Sequence, residues 1–124
     1  MGKAARGADG WLYPWGNDFD PQKCNMEDTG IGTTSAVGLF PAGASPYGVE
    51  EMSGNVDEWC MTVWQGDYHE YKADLNTGGH DTARVLRGGS WFSSFRNARC
   101  AYRHRYSPVN RDYGLGFRVA VSLA

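Results

Sequence analysis

The chain has 124 residues, enough for one domain and no more. With 12 basic against 14 acidic residues its net charge is −2, which excludes a module that holds nucleic acid by bulk attraction. Seventeen glycines, five tryptophans and seven tyrosines point to many turns, short strands, little helix and a large aromatic payload.

In chain order, Lys3-Ala4-Ala5-Arg6-Gly7 reads as the last turn of a helix ended by a glycine cap. A single turn is too short to stand alone, so natural sequence is expected upstream of Met1. Trp11 to Asn17 is an aromatic turn segment, and Asp20-Pro21 opens a short turn toward Cys24. Thr29 to Ala36 reads as loop, Val37 to Pro41 as a short apolar strand, and Ser45 to Gly48 as a turn. Val49 to Met52 suggests one helical turn before Gly54. Asn55 to Trp64 carries a strand that packs through Val56, Trp59, Val63 and Trp64. Gln65 to Thr82 is polar and reads as a surface loop. Arg84 to Arg87 is a strand entering Gly88-Gly89, and Gly116 to Val121 is the last strand, with Phe117, Val119 and Val121 on one face. No apolar stretch is long enough to span a membrane, no signal peptide is visible, and the compartment stays open. Cys24, Cys60 and Cys100 form no CxxC pair, so reduced, buried thiols are expected and a zinc site is not.

The most informative stretch is 84–119, where a frame and a free set of positions interleave. The frame is Arg87–Trp91, Arg96, Arg99, Cys100, Ala101, Arg103, Arg105, Pro108, Arg111 and Leu115–Arg118. Between them stand Phe92, Ser93, Ser94, Phe95, Tyr102, His104, Tyr106, Ser107, Asn110, Asp112 and Tyr113. These fillers share no hydrophobic period, so neither a core helix nor a half-buried strand explains them. Their types are those of a paratope, where Tyr gives rigid amphipathic area and Ser and Asn give adaptable hydrogen bonds. Tyr102, His104 and Tyr106 alternate with Arg103 and Arg105, a strand-like period of two with one face framed and one free.

Several motifs carry a resemblance: Lys3–Gly7 with Tyr13-Pro14-Trp15-Gly16, Tyr47 to Trp59, Arg84–Trp91 and Gly116-Phe117-Arg118. Together, and in this order, they resemble the formylglycine-generating-enzyme (sulfatase-modifying factor) superfamily. The resemblance implies an α+β, C-type-lectin-like fold, irregular, with small antiparallel sheets and long loops, of which residues 1–124 form the C-terminal portion as a single domain. Residues 84–119 are further similar to the variable region of diversity-generating-retroelement variable proteins. In those, retrotranscription randomises the adenines of AAC or AAT codons, which can become Phe, Ser, Tyr, His, Asp or Gly but never Lys, Glu, Gln, Met or Trp. All eleven fillers fall in the permitted set, and Phe92 to Gly114 contains none of the five forbidden types.

The resemblance also sets chemical expectations. The superfamily's oxidases hold copper with two cysteines shortly after the Gly-Gly-Ser motif, and thiolates are the soft ligands cuprous ion requires. Here Phe92-Ser93-Ser94-Phe95-Arg96 offers no such pair, so no catalytic residue is assigned. Cys100 matches a structural position. His69, His80 and His104 lack 2-His-1-carboxylate spacing, and a triad drawn from Ser93 or Ser94 with His104 and Asp112 has no nucleophile elbow. Calcium is implied at the carbonyls of Ser53, Gly54 and Val56 with the Glu58 carboxylate, and at a second place by Asn25, Met26 and Ile31 near Asp28. The alternative at the first place is that Glu58 pairs with an arginine and Asn55 caps a turn. Arg87, Arg99, Arg103 and Arg118 read as structural forks, with Asp57, Glu58 and Asp74 as candidate partners. Trp15, Trp59, Trp64 and Trp91 read as core. The expectation is a ligand-binding protein whose eleven fillers form a diversified face toward a protein or glycan on a cell or phage surface. It needs no cofactor beyond a possible Ca²⁺, uses no nucleic acid, and leaves oligomeric state open. The alternative is an oxidase of the formylglycine-generating type or a non-catalytic relative.

Overall fold

The computed structural model describes residues 1–67 and 81–123. An alanine-rich run forms helix α1 (Gly2–Arg6), closed where the Gly7 N–H donates to the Lys3 carbonyl at 3.2 Å. Gly7 sits at φ 67°, and a Cβ there would stand 2.7 Å from Pro46 Cγ. Conformation and close approach to the 45–48 turn therefore both require glycine.

Four strands make one sheet in the order β3-β2-β1-β4. β1 (Asp57–Val63) and β2 (Arg84–Arg87) pair antiparallel, with Glu58 opposite Arg87 and Trp59 opposite Leu86, and the register slips before Val63. β3 (His104–Tyr106) lies antiparallel on the other side of β2. β4 (Leu115–Gly116) runs parallel to β1, opposite Asp57 and Glu58. The sheet is thus mixed, where wholly antiparallel pairing was expected. The rest of the described chain is turns, 3₁₀ pieces and loops. Among the described residues no helix is long and apolar enough to cross a membrane.

The apolar interior is split. Tyr13, Cys24, Met26 and Ala98 form one cluster, with Trp15 and Phe19 against it. Ala5, Met52 and Cys100 form another under α1. Three expectations fail here. Val37 to Pro41 is a turn running into a 3₁₀ helix at Pro41–Gly43, with Val37 and Leu39 exposed, because proline suits the first helical position. Val49 to Met52 is not helical, since Glu51 adopts φ 56°. The last strand stops at Gly116, and Phe117, Val119 and Val121 are exposed. The four motif tryptophans are half-buried instead of core, in keeping with a side chain too large to be covered fully in a small domain. Most of the expected 65–82 loop lies outside the described residues, with Asp74, His69 and His80.

Candidate ligand-binding face

The frame residues do structural work, and they do it mainly on backbone carbonyls. Arg87 donates from Nη1 to the carbonyls of Cys100 and Tyr102, both at 3.2 Å. Arg103 reaches the Gln65 and Gly66 carbonyls at 2.6 and 3.0 Å while its guanidinium lies 4.1 Å from the Trp64 ring centre. Arg99 caps the Arg96 carbonyl at 2.8 Å. Irregular chain leaves carbonyls that no ladder satisfies, and a guanidinium can serve two at once. Only Arg118 makes the expected carboxylate fork among the described residues: Nε to Glu58 Oε2 at 2.5 Å and Nη2 to Oε1 at 2.6 Å, with further bonds to the Glu50 and Glu51 carbonyls. Asp57, expected to pair with an arginine, instead accepts the Gly89 N–H at 3.0 Å.

Ten of the eleven fillers keep solvent-exposed surface, and Ser93 does not. Its hydroxyl lies 2.9 Å from the hydroxyl of fully buried Ser90 and accepts the Ser90 N–H at 3.1 Å, while its carbonyl takes the Glu27 N–H. Ser93 therefore belongs to the frame, because that turn has no other acceptor for its buried N–H. Phe95 is only partly free, its ring 5.5 Å from Phe19 and continuous with the first core cluster. The others form two groups. Phe92 packs edge-on against Trp91 at 5.0 Å, and Trp91 Nε1 donates to the Tyr113 carbonyl at 3.4 Å. A Cβ on Gly114 would stand 2.7 Å from Phe92 Cε1, so glycine keeps this ring in place. Asp112 Oδ1 accepts the Gly114 N–H, and the Gly114 carbonyl accepts that of Asp57. His104 and Tyr106 make the second group on β3, their rings 5.6 Å apart. Ser107 and Asn110 close the turn that follows, the Asn110 N–H on the Ser107 carbonyl at 3.0 Å.

The environment of Asp57 differs from the ion pair expected for it. Burial pushes its carboxyl up to about 6 against the opposing Gly89 hydrogen bond, and nearby Asp112 adds to the rise. It also raises Tyr102, whose phenol burial already lifts. Only its position, first in β1 and opposite Leu115, puts Asp57 there.

The catalytic alternatives find no assembled site. Ser93 is bonded to Ser90 and His104 stands against Tyr106, so no triad forms among the described residues. All three cysteines are free thiols. Burial pushes Cys24 up to about 12 and Cys100 up to about 11, the opposite of an activated thiolate. Calcium at Ser53, Gly54, Val56 and Glu58 does not fit: both Glu58 oxygens are taken by Arg118, whose fixed positive charge stands where a cation would sit. Of the expected carbonyls, that of Gly54 accepts the Val56 N–H at 3.0 Å. Asn55 holds the Ser35 backbone by two bonds, a loop clamp instead of a turn cap. At the second place Asn25 is fully buried, its Nδ2 on the Thr33 carbonyl and Ser35 hydroxyl and its Oδ1 without a partner among the described residues, while Asp28 and Ile31 are exposed. No group of three or more His, Cys, Asp or Glu able to hold a metal is found among the described residues.

The serine/threonine-protein kinase pkn1 of Chlamydia caviae is 40% identical over 114 residues, covering 87% of this chain and 17% of that protein. The formylglycine-generating enzyme of Thermomonospora curvata is 35% identical over 140 residues, 94% of this chain and 45% of that one. The solved structure of Treponema denticola variable protein 1 superposes with a TM-score of 0.78 at 28% identity, over 94% of this chain and 42% of that one. The chain spans less than half the length of each. The fold is a partial formylglycine-generating-enzyme-like, C-type-lectin-like fold. The model of the sulfatase-modifying factor enzyme 1-like domain matches residues 1–123, and the chain belongs to that family.

Proposed function

We propose that this chain binds a ligand and does not turn one over, through a diversified face made by Phe92, Ser94, Phe95, Tyr102, His104, Tyr106, Ser107, Asn110, Asp112 and Tyr113. The observation that carries the reading is the split between frame and fillers. Arg87, Arg103 and Arg118 of the frame are committed to carbonyls or a carboxylate, while six of these ten are exposed and the other four half-buried. A rigid scaffold with free side chains is the arrangement by which loops recognise varied partners. The likeness to a variable protein of Treponema denticola supports the same reading. The partner is a protein or glycan displayed on a cell or phage, and binding needs no cofactor. An oxidase is disfavoured because the segment after Trp91 holds a single thiol, that of buried Cys100.

A display library randomised at these ten positions and panned against immobilised egg-white lysozyme tests the proposal. The expected result is a set of lysozyme binders that melt within a few degrees of the parent. If most members unfold, the fillers are structural and the proposal fails.

A further inference from the structure

The turn at residues 99–102 is tied to the start of the aromatic segment. The Cys100 N–H donates to the Leu12 carbonyl at 2.7 Å, the Tyr102 N–H to the Arg99 carbonyl at 2.9 Å, and Arg87 holds the Cys100 and Tyr102 carbonyls. At this junction lies a cleft of about 210 Å³, lined by Arg6 from the end of α1 and by Trp11, Leu12, Arg99, Cys100 and Tyr102. Arg6 and Arg99 are exposed, while Trp11 and Tyr102 are half-buried. Arg6 makes no hydrogen bond or ion pair among the described residues. Arg99 uses only Nε, on the Arg96 carbonyl, which leaves its Nη groups without a partner among the described residues. None of the described side chains lining the cleft is acidic.

Two guanidiniums without a counter-charge, beside two aromatic faces, suit an anion carried on a ring. The planar forks take carboxylate oxygens, and the aromatic faces take the apolar face of the ring. The volume lies below the roughly 300 Å³ at which sites for drug-sized ligands begin, so the cleft admits one ring and not a length of peptide. Tyr102 is a filler, whereas Arg99 belongs to the frame and Arg6 and Trp11 lie outside residues 84–119. We propose that the cleft is a constant subsite for one carboxylated sugar ring, with the carboxylate on Arg6 and Arg99 and the ring between Trp11 and Tyr102. It rests on the reading of the fillers as a binding face, and it narrows the partner to an acidic glycan. Variation at 102 tunes the ring contact while the charge contact stays the same.

An NMR titration of the full chain with sodium glucuronate tests this. Glucuronate is expected to shift the Trp11 indole N–H and the Arg6 and Arg99 Nε–H signals saturably. Glucose, which lacks the charge, and acetate, which lacks the ring, are each expected to bind at least about tenfold more weakly. Arg6→Gln is expected to weaken glucuronate at least about tenfold and to leave the melting temperature unchanged, because this side chain holds nothing else among the described residues. Absence of these shifts overturns the proposal. So does glucose or acetate binding as tightly as glucuronate, or an Arg6→Gln variant that binds glucuronate as the parent does. Unfolded library members would sink the diversified face, whereas missing shifts sink the cleft, so the two failures are distinct.

Discussion

Replacing Arg118 by alanine strands a buried carboxylate. The Glu58 side chain is 7% exposed, and both its oxygens rest on the Arg118 guanidinium, which also serves the Glu50 and Glu51 carbonyls. Breaking a buried pair from one side costs roughly 3–5 kcal/mol. The Arg118 side chain is 34% exposed, so solvent can partly replace it. A loss of about 2–3 kcal/mol is therefore expected. At this chain length it lowers the melting temperature by roughly 8–15 °C. Lysine cannot reproduce a two-pronged fork with two further carbonyls, so Arg118→Lys should recover less than half. Urea unfolding followed by tryptophan fluorescence measures all three proteins. A loss below about 0.5 kcal/mol for Arg118→Ala, the range of an ordinary surface change, would refute the reasoning.

The remaining predictions concern protons and the division between frame and fillers. Because the folded Asp57 carboxyl lies near 6, above its unfolded value of 3.8, its contribution to stability is full only below about pH 4 and is lost as pH rises to 6. The fall is on the order of 2 kcal/mol, and Asp57→Asn, which can still accept the Gly89 N–H, should flatten it. A urea midpoint that is level from pH 4 to 7 in the parent would contradict this. Cys24 titrates higher folded than unfolded, so stability should drop above about pH 9, where the unfolded thiol ionises first. Alkylation by iodoacetamide at pH 8 should modify half-buried Cys60 before Cys24 and Cys100, and mass spectrometry gives the order directly. Tyr113→Ala and His104→Ala should each change stability by less than about 0.5 kcal/mol, whereas Ser90→Val should cost at least about 1 kcal/mol by stranding Ser93.

Much of the fold was legible because special residues are forced by local geometry. The glycine after α1, the Gly88-Gly89 pair and the strand entering it, and the turn at Ser45–Gly48 are all where the sequence puts them. What was not legible depends on neighbours far away in the chain. Val37–Pro41 and Phe117–Val121 both alternate or cluster apolar residues, yet a strand needs a partner, and neither has one in the described sheet. The Arg118–Glu58 pair was legible because charge pairs are visible in a sequence, while the carbonyls of irregular chain that Arg87 and Arg103 also serve are not. For the candidate face, residue type could not tell that Ser93 is buried, since serine suits a buried hydroxyl pair as readily as a surface. Asp57 was read only as an arginine partner, since its neighbourhood with Asp112 and Tyr102 comes from the parallel β1–β4 pairing, which no local pattern announces.

The central claim, that residues 92–113 carry a diversified binding face, is tested most directly at the coding locus. The expected result is a near-copy of the codons for Arg84 to Val119 downstream, beside a reverse transcriptase gene, differing where the copy has adenine and above all at the codons of the ten fillers other than Ser93. The absence of any such copy, with ordinary synonymous drift across frame and fillers alike, would contradict it.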